Sequence, residues 1–525
     1  MTESRKSSGT QRLNGKSPEN PLFAILNDGF LSGAVLGEWQ VTGSEKYLSL
    51  DNWNHPKAVK AIMTQELITI SPIDGSVAVQ RPYASSAEIQ AALTRAKLAQ
   101  RSWQSTPLAT RAALVTSAVE ALVSQKDAIA EELTRQMGRP IRYTPGEVDG
   151  FEARARHMIA IAAEALADVV PSAIDGYTRF IKRTPVGVVL VVAPWNYPLL
   201  TAVNAIVPAL LAGNTVLLKH SAQTPLVAER FAAAFRTAGF PDGVFQFLHT
   251  THDDTRRIIR SPEVNFVCFT GSVAGGVAIE EAAAGRFIGV GLELGGNDPA
   301  YVRADADLAH AVETLVDGAF FNAGQSCCGI QRIYVHQPLF KEFIECAVAL
   351  TKQYVLGNPL DPLTTLGPVV STRAAADIRA IVAEAVGKGA TGLIDARAFA
   401  MNKVGTPYMA PQILIDVDHS MKIMADECFG PVCGVMPVAD DDEAIRLMND
   451  SPYGLTAAVF TRDAEAALRV GDRIETGTWF MNRCDYLDPA LAWTGVKHSG
   501  RGVTLSSIGF EHLTRAKSYH LKTRL

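Results

Sequence analysis

Val188-Val189-Leu190-Val191-Val192-Ala193, joined directly to Pro194-Trp195-Asn196-Tyr197-Pro198, sets the fold class. An unbroken apolar run rich in β-branched residues reads as a strand buried on both faces, the kind found in parallel sheets. Beyond it the elements alternate. Leu199–Leu211 is an apolar helix stopped by Gly213-Asn214. Thr215–Lys219 is a second strand and Pro225–Ala238 a second helix, and Val244–Leu248, Asn265–Phe269 and Ile288–Leu294 read as further strands. Strands alternating with helices predict a doubly wound sheet with right-handed crossovers.

Upstream, regular patterning begins near Ile68, with a turn at Ser71-Pro72-Ile73-Asp74-Gly75. Ser85-Ser86-Ala87-Glu88 is a capping box, opening a helix with Ile89, Ala92, Leu93, Ala96 and Ala99 on one face. Helices are predicted between Leu108 and Met137 and from Glu147 to Val169. Residues 1 to about 20 are polar and predict disorder. Downstream, the pattern restarts at Asp307, with helices over Arg373–Lys388 and Asp442–Met448 and strands over Gly434–Val438 and Ala457–Thr461. This is a second α/β domain. Arg179–Thr184 and Leu513–Lys522 mix charged and apolar residues and read as exposed strands.

At 525 residues the chain exceeds one ordinary core. It is 47% hydrophobic and 20% charged with a net charge of −5, the composition of a soluble globular protein. No dense Lys/Arg run marks a nucleic-acid footprint. The seven cysteines are scattered without zinc spacing, which predicts free thiols in a reducing compartment, and so a cytoplasmic protein. Thr184–Leu218 carries no charge and is long enough to span a bilayer, but Pro185, Pro194, Pro198 and Pro208 break it. Broken backbone groups in lipid are prohibitive, so no membrane span is expected.

Four stretches carry chemistry. Asn322-Ala323-Gly324-Gln325-Ser326-Cys327-Cys328 sits in a run without charged residues from Gly318 to Ile330. A thiol presented beside glycine can be a nucleophile, while a small buried hydrophobe is the other reading of either cysteine. Asn196 falls at the carboxyl end of the Val188–Ala193 strand, the ligand edge of such sheets. Its amide can donate to an oxyanion or cap the following helix. Phe269-Thr270-Gly271-Ser272-Val273-Ala274-Gly275-Gly276 turns from strand to helix, where backbone N–H groups hold phosphate. Glu293 precedes Leu294-Gly295-Gly296 at a strand end and can be a general base or simply solvated.

Taken together, Trp195-Asn196, Phe269-Thr270-Gly271-Ser272, Glu293-Leu294-Gly295-Gly296 and Gly324-Gln325-x-Cys327, in this order and spacing, resemble the aldehyde dehydrogenase superfamily. Gly138-Arg139-Pro140, Leu218-Lys219, Glu427-x-Phe429-Gly430-Pro431, Asn449 with Tyr453-Gly454-Leu455, and Lys497-x-Ser499-Gly500 extend the match from about residue 68 to the C-terminus. The resemblance implies an α/β fold with a doubly wound cofactor-binding domain (61–167 and 185–294) and a catalytic domain (295–490). It also implies a β-strand oligomerisation arm (168–184 and 491–525) after an N-terminal extension (1–60). The activity it implies is NAD(P)-dependent oxidation of a small-molecule aldehyde to a carboxylic acid, in a homodimer or homotetramer. Cys327 is then the nucleophile, with Cys328 packing beside it, Asn196 the oxyanion donor and Glu293 the base. Trp195, Lys219, Gly271, Ser272, Gly276, Glu427 and Phe429 are implied for the NAD or NADP site. Tyr197, Thr201 and Asn204, at helical spacing, and Tyr486 are implied for the substrate pocket. A CoA-acylating semialdehyde dehydrogenase and an inactive protein on the same fold are the alternatives, and Glu293 and Cys327 speak against them.

The sequence departs from the family pattern twice. Lys219 is usually followed by Pro-Ser-Glu, but here by His220-Ser221-Ala222. Without that Glu, an adenosine 2′-phosphate meets no repulsion, so NADP is admitted beside NAD. The usual Pro-Phe-Gly-Gly is replaced by Ala492-Trp493-Thr494-Gly495, next to Cys484-Asp485-Tyr486-Leu487 where the substrate entrance is shaped.

Overall fold

Strand Val188–Ala193 is buried along its whole length, between 0% and 7% exposed. Each such Val or Leu contributes about 1.5–3 kcal/mol through its burial. The strand lies inside a six-stranded sheet ordered Gly500–Arg501, Gly289–Glu293, Val264–Thr270, Val188–Ala193, Thr215–His220, Phe245–Phe247. All pairs are parallel except the edge pair of Gly500–Arg501 with Gly289–Glu293. From Val188–Ala193 the chain first builds outward through Thr215–His220, then crosses back to Val264–Thr270. The strand order therefore reverses beside Val188–Ala193, and ligands of doubly wound sheets bind at such a point. The register sets Val192 opposite Phe269 and Thr270 opposite Glu293, so Trp195, Asn196, Thr270 and Glu293 leave the sheet at one edge.

The computed structural model describes residues 66–525; the N-terminal extension, with its predicted disorder, lies outside the described residues. Helix Ser86–Trp103 begins with the capping box, Ser85 Oγ accepting from the Glu88 N–H. Helix Pro145–Ala165 starts earlier than the apolar pattern indicates, with Pro145 in the first turn, where a missing N–H costs nothing. Among the described residues no helix is long and apolar enough to cross a membrane. The uncharged stretch from Thr184 instead forms strand, helix Pro198–Leu211 and strand.

A second sheet has seven strands, ordered Thr391–Gly392, Gln412–Ile415, Val432–Val438, Ile330–His336, Asp298–Val302, Thr456–Phe460, Thr478–Met481. Only the pair Thr391–Gly392 with Gln412–Ile415 is antiparallel. Apart from both sheets, Tyr177–Pro185 and Thr514–Lys522 form an antiparallel ribbon. The Phe180 and Tyr519 rings stack across it with centroids 4.5 Å apart. The C-terminal segment from 491 is divided: Gly500–Arg501 closes the edge of the first sheet, and only Thr514–Lys522 enters the ribbon.

Candidate active site

Cys327 is delivered by a loop of unusual backbone. Asn322, Ala323 and Gly324 all have positive φ, at 52°, 55° and 67°. The left-handed region costs an ordinary residue roughly 1–2 kcal/mol, which the surroundings must hold in place. They do so through a buried ion pair. Arg139 Nη1 donates to Glu147 at 2.6 Å, its Nε to Asn322 Oδ1 at 3.1 Å, and its Nη2 to the Asn196 carbonyl. Glu147 Oε1 in turn accepts from the Leu199 and Leu200 N–H groups, each at 3.0 Å. That carboxylate, and not Asn196, satisfies the start of helix Pro198–Leu211. The Asn196 amide is left to face the cysteine loop, donating to the Gln325 carbonyl at 3.2 Å.

Two cavities meet at the thiol. One, of about 970 Å³, is lined by Tyr197, Thr201, Asn204, Asp485, Tyr486 and Trp493, among others. The other, of about 570 Å³, is lined by Trp195, Asn196, Lys219, Gly271, Ser272, Glu427 and Phe429, among others. Thr201, Thr270, Glu293 and Cys327 line both. The two cysteines differ sharply. Cys327 is partly exposed to this junction, whereas Cys328 is 3% exposed and donates to Asp485 Oδ1 at 2.9 Å. The hydrogen bond with Cys327 pushes the Cys328 thiol up, and burial and its acidic neighbour add to the shift.

The Glu293 carboxylate is held by two hydroxyls, Thr504 Oγ1 at 2.5 Å and Thr270 Oγ1 at 3.1 Å. Burial raises its pKa, with the two hydroxyls opposing. A carboxylate raised in this way can take a proton from water near neutral pH. The paired glycines after it have separate uses. A Cβ at Gly295 would collide with the Glu427 carboxylate, and one at Gly296 would collide with the Cys327 carbonyl. Glu427 and the cysteine loop approach this segment only because both positions are glycine.

The second cavity fits a dinucleotide. Its floor is the start of helix Val273–Ala283, capped by Ser272 Oγ accepting from the Gly275 N–H at 3.2 Å. Gly271 and Gly275 leave room there, since a Cβ on either would strike the Phe269 ring at 2.7 or 2.6 Å. The Gly271 N–H is taken by the Glu293 carbonyl and the Gly275 N–H by the cap, so it is the other N–H groups of the helix's first turn that suit a pyrophosphate. Gly276 stands apart from the implied set. It faces Leu294, 2.8 Å from where its Cβ would be, and packs helix on strand; Gly275, one position earlier, faces the cavity. At one end Lys219, 9% exposed and without an ion-pair partner among the described residues, is lowered to about 8 by burial. Ser221 and Arg256 stand on the same wall. At the other end Glu427 accepts from the Gly296 N–H at 3.1 Å and is raised by burial to about 7. There Trp195 and Phe429 meet edge to face, 5.7 Å between centroids.

Glu147 belongs to the site without having been singled out by sequence pattern, and the sequence marks Asp485 only as part of the entrance loop, with no partner. Pro145, two residues before Glu147 in a first helical turn, was the available signal for the former. Asp485 Oδ1 accepts from Ser326 Oγ as well as Cys328, both at 2.9 Å. It closes the cavity wall behind the cysteines.

The model of the aldehyde dehydrogenase family matches residues 59–519. A succinate-semialdehyde dehydrogenase (NADP+) of Deinococcus radiodurans is 36% identical over 459 residues, 86% of this chain and 93% of that protein. A 3,6-anhydro-alpha-L-galactose dehydrogenase of Streptomyces coelicolor is 34% identical, covering 87% of this chain and 93% of that protein. The solved structure of a succinic semialdehyde dehydrogenase from Streptococcus pyogenes in complex with NADP+ superposes with a TM-score of 0.83 at 30% identity. The match covers 87% of this chain and 99% of that one.

Proposed function

The chain belongs to the aldehyde dehydrogenase family, an NAD(P)-dependent enzyme class that oxidises aldehydes to acids, and we propose that Cys327, Asn196 and Glu293 carry the reaction here. The observation behind this is the meeting of two cavities at Cys327 and Glu293. The Cys327 thiolate adds to the aldehyde carbon. The oxyanion that forms is held by Asn196 Nδ2 and the Cys327 backbone N–H, donors fixed before substrate arrives. The chemistry a bound NAD(P)+ supplies is that of a two-electron hydride acceptor. Glu293 then takes a proton from water, which attacks the acyl carbon on Cys327 and releases the acid and the thiol.

The smaller cavity would hold the cofactor, with Gly271, Ser272 and Gly275 beside its pyrophosphate. Lys219 would hold the adenosine ribose and Glu427 the nicotinamide ribose, with Trp195 and Phe429 beside the ring. The only carboxylates lining that cavity among the described residues are Glu293 and Glu427, and neither acts on the Lys219 charge, which supports use of NADP+ as well as NAD+. The aldehyde enters through the larger cavity past Tyr197, Thr201 and Tyr486, and carries a polar tail. Relatives named for a carboxylated and for a sugar-derived aldehyde support that reading. Within the described residues the cofactor domain comprises 66–167 and 185–294, with Gly500–Arg501 added, and the catalytic domain 295–490. The exposed ribbon of Tyr177–Pro185 and Thr514–Lys522 joins subunits of a homodimer or homotetramer by extending a sheet. The free cysteines support a cytoplasmic location.

Mass spectrometry of a Glu293→Gln variant turned over with aldehyde and NADP+ tests the assignment. An acyl group retained on Cys327 is expected; an acyl group on Cys328 instead would falsify it.

A further inference from the structure

Helix Pro145–Ala165 brings Arg154 to the wall of the larger cavity, where it is 8% exposed. Of its donors only Nη1 has acceptors among the described residues, the Leu200 carbonyl at 2.7 Å and Asn204 Oδ1 at 3.4 Å. Among the described residues no carboxylate forms a direct ion pair with it, and Glu147, Glu293 and Asp485 act on it only through space. Glu147 is taken by Arg139, Glu152 by Arg156, and both Glu293 oxygens by threonine hydroxyls. The bond to Arg154 also fixes the sense of the Asn204 amide, with the oxygen toward the guanidinium and Nδ2 away. Asn204 is 2% exposed, lines the same cavity, and its Nδ2 has no hydrogen-bond partner among the described residues.

A buried guanidinium without a direct ion-pair partner and an orphaned amide donor beside it are both costly. Both lack the same thing, an anionic acceptor. We propose that Arg154 and Asn204 form the seat for a carboxylate at the far end of the aldehyde substrate. The guanidinium fork matches the two oxygens of a carboxylate, and a neutral hydroxyl would leave its charge uncompensated. This deepens the aldehyde-oxidising reading and rests on it. Glu313, Asp317 and Asp485 reach the cavity from other elements, so a cationic tail is the competing occupant.

Three four-carbon aldehydes separate the cases: 4-oxobutanoate, butanal and 4-aminobutanal, compared by kcat/KM in the wild type, Arg154→Gln and Arg154→Lys. The wild type is expected to favour 4-oxobutanoate over both others by about tenfold or more, one charged hydrogen bond's worth. In Arg154→Gln the ratio of 4-oxobutanoate to butanal should fall by about 10–100-fold, chiefly through KM, with Arg154→Lys intermediate. Succinate, as a non-reacting dicarboxylate, should raise the melting temperature of the wild type more than that of Arg154→Gln. An unchanged ratio in Arg154→Gln, or a wild-type preference for 4-aminobutanal, overturns the seat. Failure of the wild type to oxidise any of the three sinks the aldehyde reading instead.

Discussion

The Arg139 guanidinium and the Glu147 carboxylate meet at 2.6 Å with their side chains 2% and 0% exposed. Removing one member of such a pair strands the other charge in a dry interior, a loss of about 3–5 kcal/mol. Here the loss also loosens chemistry, because Arg139 holds the Asn196 carbonyl and Asn322, and Glu147 holds the start of helix Pro198–Leu211. Glu147→Ala is therefore expected to lower both the melting temperature and kcat. Calorimetry with steady-state kinetics checks this, and a variant as stable and active as the wild type would show the pair to be idle.

The Asn196 amide already points at the cysteine loop, donating to the Gln325 carbonyl at 3.2 Å. Asn322 Nδ2 donates to the same carbonyl at 3.1 Å, so the loop keeps one donor if Asn196 is truncated. Asn196→Ala should thus fold normally while kcat falls by roughly 10²–10³-fold, the range for loss of one oxyanion donor. The comparison is made under conditions where chemistry limits the rate, established by a burst experiment. An undiminished kcat there would remove Asn196 from the oxyanion site.

Glu293 acts as base only when ionised, and burial raises its pKa. Activity should therefore rise with pH through a limb above the ordinary carboxylate range. Glu427, raised to about 7, titrates in the same region and complicates the assignment. The two separate by substitution. Glu293→Gln should abolish the limb along with acyl hydrolysis, while Glu427→Gln should leave the limb in kcat and raise the KM for cofactor. A limb in kcat that survives Glu293→Gln assigns the titration elsewhere.

The reach of the sequence, and its limits, have physical causes. Val188–Ala193 was legible because a strand buried on both faces has one possible composition. The helix after it was legible as an element, but its N-terminal partner was not. Glu147 lies 52 residues before Leu199 and nothing local couples them. The contact of Asp485 with Cys328, 157 residues earlier, is hidden for the same reason, although the sequence places its loop at the entrance. Gly276 shows a finer limit. One residue turns a helix by about 100°, so Gly275 and Gly276 face different neighbours, and a run of glycines does not tell which one lines the cavity. At Asn196 the capping reading falls away, because Glu147 occupies the helix start.

Where the family usually places a Glu after Lys219, this chain has Ala222, whose carbonyl accepts from Thr69 Oγ1 at 2.7 Å. The wall near Lys219 carries Ser221 and Arg256 and no acid among the described residues, so nothing there repels a 2′-phosphate. Turnover with NADP+ as well as NAD+ is expected, and Ala222→Glu should shift the kcat/KM ratio toward NAD+. Lys219 adds a pH signature. Burial lowers it to about 8, so its charge is present below that pH and lost as pH rises through it. KM for NADP+ should therefore climb above about pH 8 more steeply than KM for NAD+, since only the former carries the extra phosphate charge. Lys219→Met should flatten that difference. Equal cofactor ratios in the wild type and Ala222→Glu, with parallel pH profiles for the two cofactors, would show that neither residue reads the 2′-position.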